Sequence, residues 1–149
     1  MKKIVIFCGL LCCLFACGNN STTSKTCTLD GGKNGSVKTA TIEYEDKKAK
    51  TIHFIEKAPL AKEQFESKSE EELQKLFESH YIKKNQEQKG MTFDIKVSEK
   101  DLELVVDIKM DVTKMSKSDL IEYHIDEDLR LEKIVETYEA QNYVCDSDK

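Results

Sequence analysis

Cysteine, histidine and the carboxylates are the residue types in this chain that can do chemistry, and two stretches concentrate them. "CGLLCCLFACGNNSTTSKTC", residues 8 to 27, holds five of the six cysteines. Thiolates this close together can ligate zinc or cycle as a dithiol. "HIDED", His124 to Asp128, puts four potential ligands in five residues, and hard cations such as calcium favour clustered oxygens. Neither reads as a metal centre. No histidine lies near the cysteines, and their segment is too apolar to fold as a zinc loop. "HIDED" lacks EF-hand spacing, and acids ahead of a helix serve as caps and dipole partners. No metal and no cofactor is expected.

Catalytic arrangements fare no better. There is no Gly-x-Ser-x-Gly elbow and no glycine-rich phosphate loop. The histidines, His53, His80 and His124, are far apart. His80 falls on a helical apolar stripe and His124 follows Leu120 by four residues, so both are expected to be partly buried. His53 lies between Ile52 and Phe54 and is expected on a solvated face. Glu103, Asp107 and Asp111 share a strand face and could pass for an acid–base pair. With Lys96 and Lys109 interleaved they read instead as a solvated sheet face, because paired catalytic carboxylates need a cleft that splits their pKa values. No catalytic residue is expected.

The cysteines make sense once their flanks are considered. Lys2 and Lys3 precede thirteen uncharged residues, Ile4 to Ala16, a run too short to span a bilayer as a helix, which takes about 20. A basic start with a short apolar run is the layout of a secretory signal peptide, here residues 1–16. The run closes on Leu14-Phe15-Ala16-Cys17, which resembles the lipobox of bacterial lipoproteins. That resemblance implies cleavage between Ala16 and Cys17, with a diacylglycerol on the Cys17 thiol. Phe15 is bulkier than the common choice at its position. Cys8, Cys12 and Cys13 would then leave with the signal peptide, where they act as small hydrophobes. Cys27 and Cys145 remain, in a compartment that permits disulfides. Either they pair, tying the first strand to the chain end, or they stay as two free thiols. Residues 17–26 read as the lipidated cysteine and a flexible polar tether. The implied location is the extracytoplasmic face of the cell membrane, with the membrane as a partner through the lipid.

The folding part is residues 27–149, one domain. Loss of Lys2 and Lys3 leaves 21 basic against 28 acidic side chains, a net charge of −7. Such a surface repels polyanions, so no nucleic-acid partner is expected. Met91, Phe93, Ile95 and Val97, then Leu102, Leu104, Val106, Ile108, Met110 and Val112, alternate with polar residues as in two half-buried strands. Opposing Val97 to Leu102 leaves a four-residue loop, Ser98 to Asp101, and sets Lys96 against Glu103. Upstream, "VKTATIEY" and "TIHFIE" read as strands about a turn at Asp46 to Lys48, and "GGKNG" as a turn after a short strand at Cys27 to Leu29. "SEEELQKLFESHYIKK" reads as a helix with a Ser69/Glu72 capping box and a Leu73, Leu76, Phe77, His80, Tyr81 stripe. A short helix near Ser118 to His124 should precede a longer one carrying Leu131, Ile134, Val135 and Tyr138, capped by Asp126 or Asp128 and ended by Asn142. The fold class is α+β, a largely antiparallel sheet of about five strands covered on one face by two or three helices.

On the Cys17 lipobox, the polar tether, "TCTL", the central helix followed by "GMTFDIKV", and the closing "AQNYVC", the chain resembles the YehR-like family of small bacterial lipoproteins. Family members often have glycine where Asn142 stands. The resemblance implies an α+β fold and surface anchoring; the family is a domain of unknown function and supplies no catalytic residues. Two functional readings result: a noncatalytic surface binding or interaction module of unknown ligand, or a cell-envelope hydrolase using a carboxylate and a histidine. The second requires His53, His80 or His124 to meet a carboxylate in a concave site.

Overall fold

The structure is a computed structural model and describes residues 23–32, 35–85 and 89–147. The expected cleavage site at Ala16 and Cys17, with the rest of residues 1–22, lies outside the described residues. The strands are β1 (Thr23–Asp30), β2 (Val37–Glu45), β3 (Lys48–Pro59), β4 (Met91–Ser98), β5 (Glu103–Asp111) and β6 (Val144–Cys145). The helices are α1 (Lys62–Ser67), α2 (Glu70–Asn85), α3 (Lys117–Glu122) and α4 (Leu131–Ala140). All six strands form one sheet in the order β4-β5-β3-β2-β1-β6, every pair antiparallel. The fold is the expected α+β class, with one more strand and one more helix. The extra strand is the two-residue β6, and the extra helix is α1, six residues with no buried position. Neither is long enough to show a period in sequence.

The alternation works as a two-faced device. On one face Cys27, Ala40, Ile42, Ile52, Ile95, Val97, Leu104, Val106, Ile108 and Met110 are buried. Leu73 of α2, Leu120 of α3, and Ile134 and Val135 of α4 close over them. Ile134 and Ile52 are both fully inaccessible, so α4 and the middle of the sheet share one core. At roughly 1.5–3 kcal/mol per large buried apolar side chain, this layer is the main stabilising element.

Turn chemistry sets the registers. Glu45 opposes Lys48, so the β2–β3 turn is the two residues Asp46 and Lys47, both at positive φ (51° and 62°) as a type I′ turn demands. The β4–β5 hairpin departs from expectation by two residues: Val97 opposes Leu104, and Ser98 opposes Glu103. Leu102 is drawn out of the ladder. It sits at φ 50° and its carbonyl accepts from the Leu60 N–H at 2.7 Å, joining the hairpin loop to the end of β3. A slip of two keeps every side chain on its face. It does break the expected Lys96–Glu103 pair; Lys96 instead meets Asp94 at 3.1 Å.

The capping box forms: Glu72 Oε2 accepts from the Ser69 N–H at 2.8 Å, and Ser69 Oγ from the Glu72 N–H at 3.3 Å. The stripe of α2 is narrower than expected, since Leu76 is 51% exposed and His80 is also exposed. Leu73 is the buried member of the stripe, and Phe77 and Tyr81 pack against the core partly buried. The N-cap of α4 is Arg130, not Asp126 or Asp128, and makes no side-chain cap bond. Asn142 ends that helix at φ 68° as expected. Thr23 to Thr26, expected in the tether, pair with Tyr44 to Thr41, so the sheet starts four residues earlier than the sequence implies. Their alternation (Thr, Ser, Lys, Thr) carries no apolar signal.

Cys27 and Cys145 are bonded, S–S 1.99 Å, across a sequence separation of 118. The bond staples β6 to β1, and Asp146 N–H donates to the Thr26 carbonyl at 2.8 Å beside it. Loop-closure entropy for a loop this long is worth up to about 4.7 kcal/mol. Replacing both cysteines with serine is expected to lower the unfolding free energy by about 2–4 kcal/mol in urea titrations. An unchanged midpoint would mean that β6 and α4 hold the chain end without the bond.

Candidate functional site

Among the described residues, no helix packs on the second face of the sheet. That face's side chains are exposed or half-buried throughout, and none is buried. Because opposed residues share a face, the registers lay them out in rows across the strands. One row runs Thr92, Lys109, His53, Thr41, Thr26, from β4 to β1. The next runs Asp94, Asp107, Ile55, Thr39, Thr28. Hydroxyls line the β1–β2 side and charges the β4–β5 side.

His53 bridges the two rows. Its Nε2 lies 2.8 Å from Asp107 Oδ1, with the two side chains 38% and 29% exposed. Half-exposed pairs of this kind contribute about 1 kcal/mol or less. Their local meaning is different: Asp94 and Asp107 are directly opposed, an unfavourable like-charge pair, and each has an opposite partner, Lys96 for Asp94 and His53 for Asp107. Toward the Gly90 end the face hollows into an open depression of about 630 Å³, lined in part by Glu43, Thr51, His53, Thr92, Lys109 and Asp111. Thr51 donates to Glu43 Oε2 at 2.6 Å, and Asp111 is held by Lys114 Nζ and Thr113 Oγ1, both at 2.6 Å. Those bonds, with the Lys114 contact the larger, keep the Asp111 carboxyl below the usual carboxylate range. The exposed Lys109 sits at the floor of the row between Thr92 and His53.

His53 is on the solvated face, as expected, but it is not solitary; the pairing with Asp107 spans 54 residues and depends on the β3–β5 register. His80 and His124 are not the partly buried packing residues that the sequence suggests. His80 is exposed on α2 with its ring edge-on to Tyr81, centroids 5.5 Å apart. His124 is exposed at the end of α3, at φ 57°. The three histidines belong to three separate places in the fold. In "HIDED", Asp126 turns to Arg130, accepting from its guanidinium at 2.9 and 3.1 Å and from its N–H at 3.1 Å. Among the described residues, no group of three or more His, Cys, Asp or Glu side chains is placed to hold a metal ion. Glu103, Asp107 and Asp111 do share the open face, with Lys109 among them.

No protein-family model matches the chain, and no curated protein matches it significantly. Among solved structures, the chain is similar to the NMR structure of a protein from Streptococcus pneumoniae TIGR4. The TM-score is 0.64 at 21% sequence identity, over 98% of both chains. Likeness at that identity shows a shared fold. No helix among the described residues is long and apolar enough to cross a membrane.

The clamp on Asp126 has a measurable signature. Hydrogen bonding from the Arg130 side chain, helped by its backbone N–H, lowers the Asp126 carboxyl from 3.8 to about 2. A carboxylate depressed in the folded state stabilises fully above its unfolded pKa and loses that contribution as pH falls through the folded one. The contribution should therefore fade between about pH 4 and pH 2. Arg130→Ala is expected to remove on the order of 1 kcal/mol at neutral pH and to flatten the acid limb of stability in that window. A variant with the same acid limb as wild type would show that Asp126 is held by something else.

Proposed function

We propose that this chain is a membrane-anchored surface lipoprotein of the YehR-like kind, held by a diacylglycerol on Cys17 at the extracytoplasmic face, and that its domain is a noncatalytic binding module. The observation that supports binding is the uncovered face of the sheet. A six-stranded sheet that needs only one apolar face for stability has spent the other on hydroxyls, a histidine and alternating charges in straight rows. Such a surface offers donors and acceptors at the strand spacing of about 4.8 Å, which suits an extended polar ligand lying across the strands. The start of β1 at Thr23 supports a close tether. From Cys17 to Thr23 a chain reaches about 20 Å at most, so the ligand surface would stay near the bilayer.

A second reading, a cell-envelope hydrolase, is favoured by one contact, His53 with Asp107 at 2.8 Å beside the depression. It asks for a hydroxyl or water poised on the imidazole. Among the described residues no hydroxyl hydrogen-bonds to His53, and the Thr51 hydroxyl is committed to Glu43. Binding is therefore the preferred reading.

Two measurements test the proposal. Cys17→Ala should abolish incorporation of labelled fatty acid and shift the protein out of the membrane fraction; firm anchoring of a fully matured variant would refute the lipid reading. Titrating the ¹⁵N-labelled protein in detergent with soluble fractions of its host's envelope should move the amide resonances of Thr26, Thr41, His53, Thr92 and Lys109. Lys109→Glu should weaken that response about tenfold, while His53→Ala should leave no hydrolytic activity to lose. Shifts confined to the helices would put the binding surface elsewhere.

A further inference from the structure

The two edges of the sheet are treated differently. At one, β1 is covered in part by β6 and stapled by the Cys27–Cys145 bond. At the other stands β4, eight residues without proline, paired among the described residues with β5 alone; side chains of α2 reach its outer edge at one end, Gln74 toward the Val97 N–H and Glu70 accepting from the Glu99 N–H at 2.8 Å. A long regular edge is a template for another strand.

The hydrogen-bonding parity of β4 is fixed by two contacts. Asp111 N–H donates to the Gly90 carbonyl at 2.7 Å, so the even-numbered residues turn their backbone groups toward β5. Val97 N–H points the other way, where Gln74 Oε1 approaches at a long 3.5 Å. Met91, Phe93, Ile95 and Val97 therefore present their N–H and C=O groups outward.

Lysine on an edge strand normally discourages pairing. Here Lys96 has Asp94 two residues away on the same face, 61–71% exposed, so the deterrent depends on register. In an antiparallel two-fold pairing centred on Ile95, Asp94 of each strand faces Lys96 of the other. Ser98 then faces Thr92, and on the covered face Phe93 meets Val97 and Ile95 meets its own copy. Centring on Asp94 or Lys96 sets like charges against each other. Centring on Phe93 leaves Asp94 against Thr92. Within the strand, one register satisfies both charges and the outward parity together.

We infer that β4 is a self-association edge: it pairs antiparallel with β4 of a second copy about Ile95, Asp94 opposite Lys96 in both directions, joining two sheets into one of twelve strands. The contact is isologous, and it closes, so it makes dimers and not fibres. The partner's carbonyl replaces the long Gln74 contact at Val97 N–H.

Sedimentation of the full chain in detergent tests this, with circular dichroism to confirm that each variant is folded. Wild type should show a concentration-dependent monomer–dimer equilibrium. Asp94→Lys puts lysines opposite Lys96, and Lys96→Asp puts aspartates opposite Asp94; each alone should weaken association about tenfold or more. Mixing the two single variants should restore a heterodimer, since every cross-strand charge then meets its opposite. The doubly exchanged chain, Asp94→Lys with Lys96→Asp, should dimerise like wild type. A wild type monomeric at all concentrations overturns the inference. So does a dimer indifferent to either single change, or a mixture that fails to reassemble.

Discussion

The constraint on which this structure depends is that the sheet has one face to bury and one to leave in water. Helices are needed on one side only, and the chain supplies them from two directions. The β3–β4 connection delivers α2, and the segment after β5 delivers α3 and α4. β3 is the member that both halves share, ladder-bonded to β2 and to β5, with Ile52 fully enclosed beneath α4's layer. If Ile52 or Ile134 were polar, neither hairpin would have a reason to face the same way. The open face follows from the same alternation, because each buried residue fixes a solvated neighbour. The buried face and the open face are thus written into the same strands on opposite pleats.

The alternation in β4 and β5 was plain in the sequence because every other residue is a large hydrophobe, and faces survive a slip of two. The register itself was not plain. It turns on Leu102, whose carbonyl serves Leu60, a contact between segments forty residues apart that no local pattern announces. The Ser69/Glu72 box was legible since both partners lie within one turn. The sequence offers Asp126 or Asp128 as the cap of α4, but a helix start and an i,i+4 arginine compete for the Asp126 carboxylate, and the bidentate guanidinium wins.

The candidate surface was legible only as a list of polar positions. That Thr26, Thr41, His53, Lys109 and Thr92 form a straight row needs the order of five strands, and the order β4-β5-β3-β2-β1 is not the order of the chain. The pairing of His53 with Asp107 was hidden for the same reason. Stripe membership overstates the burial of His80, which stays exposed while Phe77 and Tyr81 beside it pack against the core. Leu76 and His80 are exposed because α2 lies near an edge, where the core beneath it runs out.

The disulfide also decides how the domain bears a pull. A tension applied between the segment ahead of β1 and the segment after β6 enters at Cys27, crosses to Cys145 through sulfur, and leaves. The 117 residues between them carry none of it, so the ladder that is loaded is the pairing of Thr23 to Thr26 with β2, ahead of Cys27, and the core is spared. Reduction reroutes the same tension through β1, whose ladder with β2 then has to resist it hydrogen bond by hydrogen bond. The covalent link makes the folded body a side loop on a mechanical line.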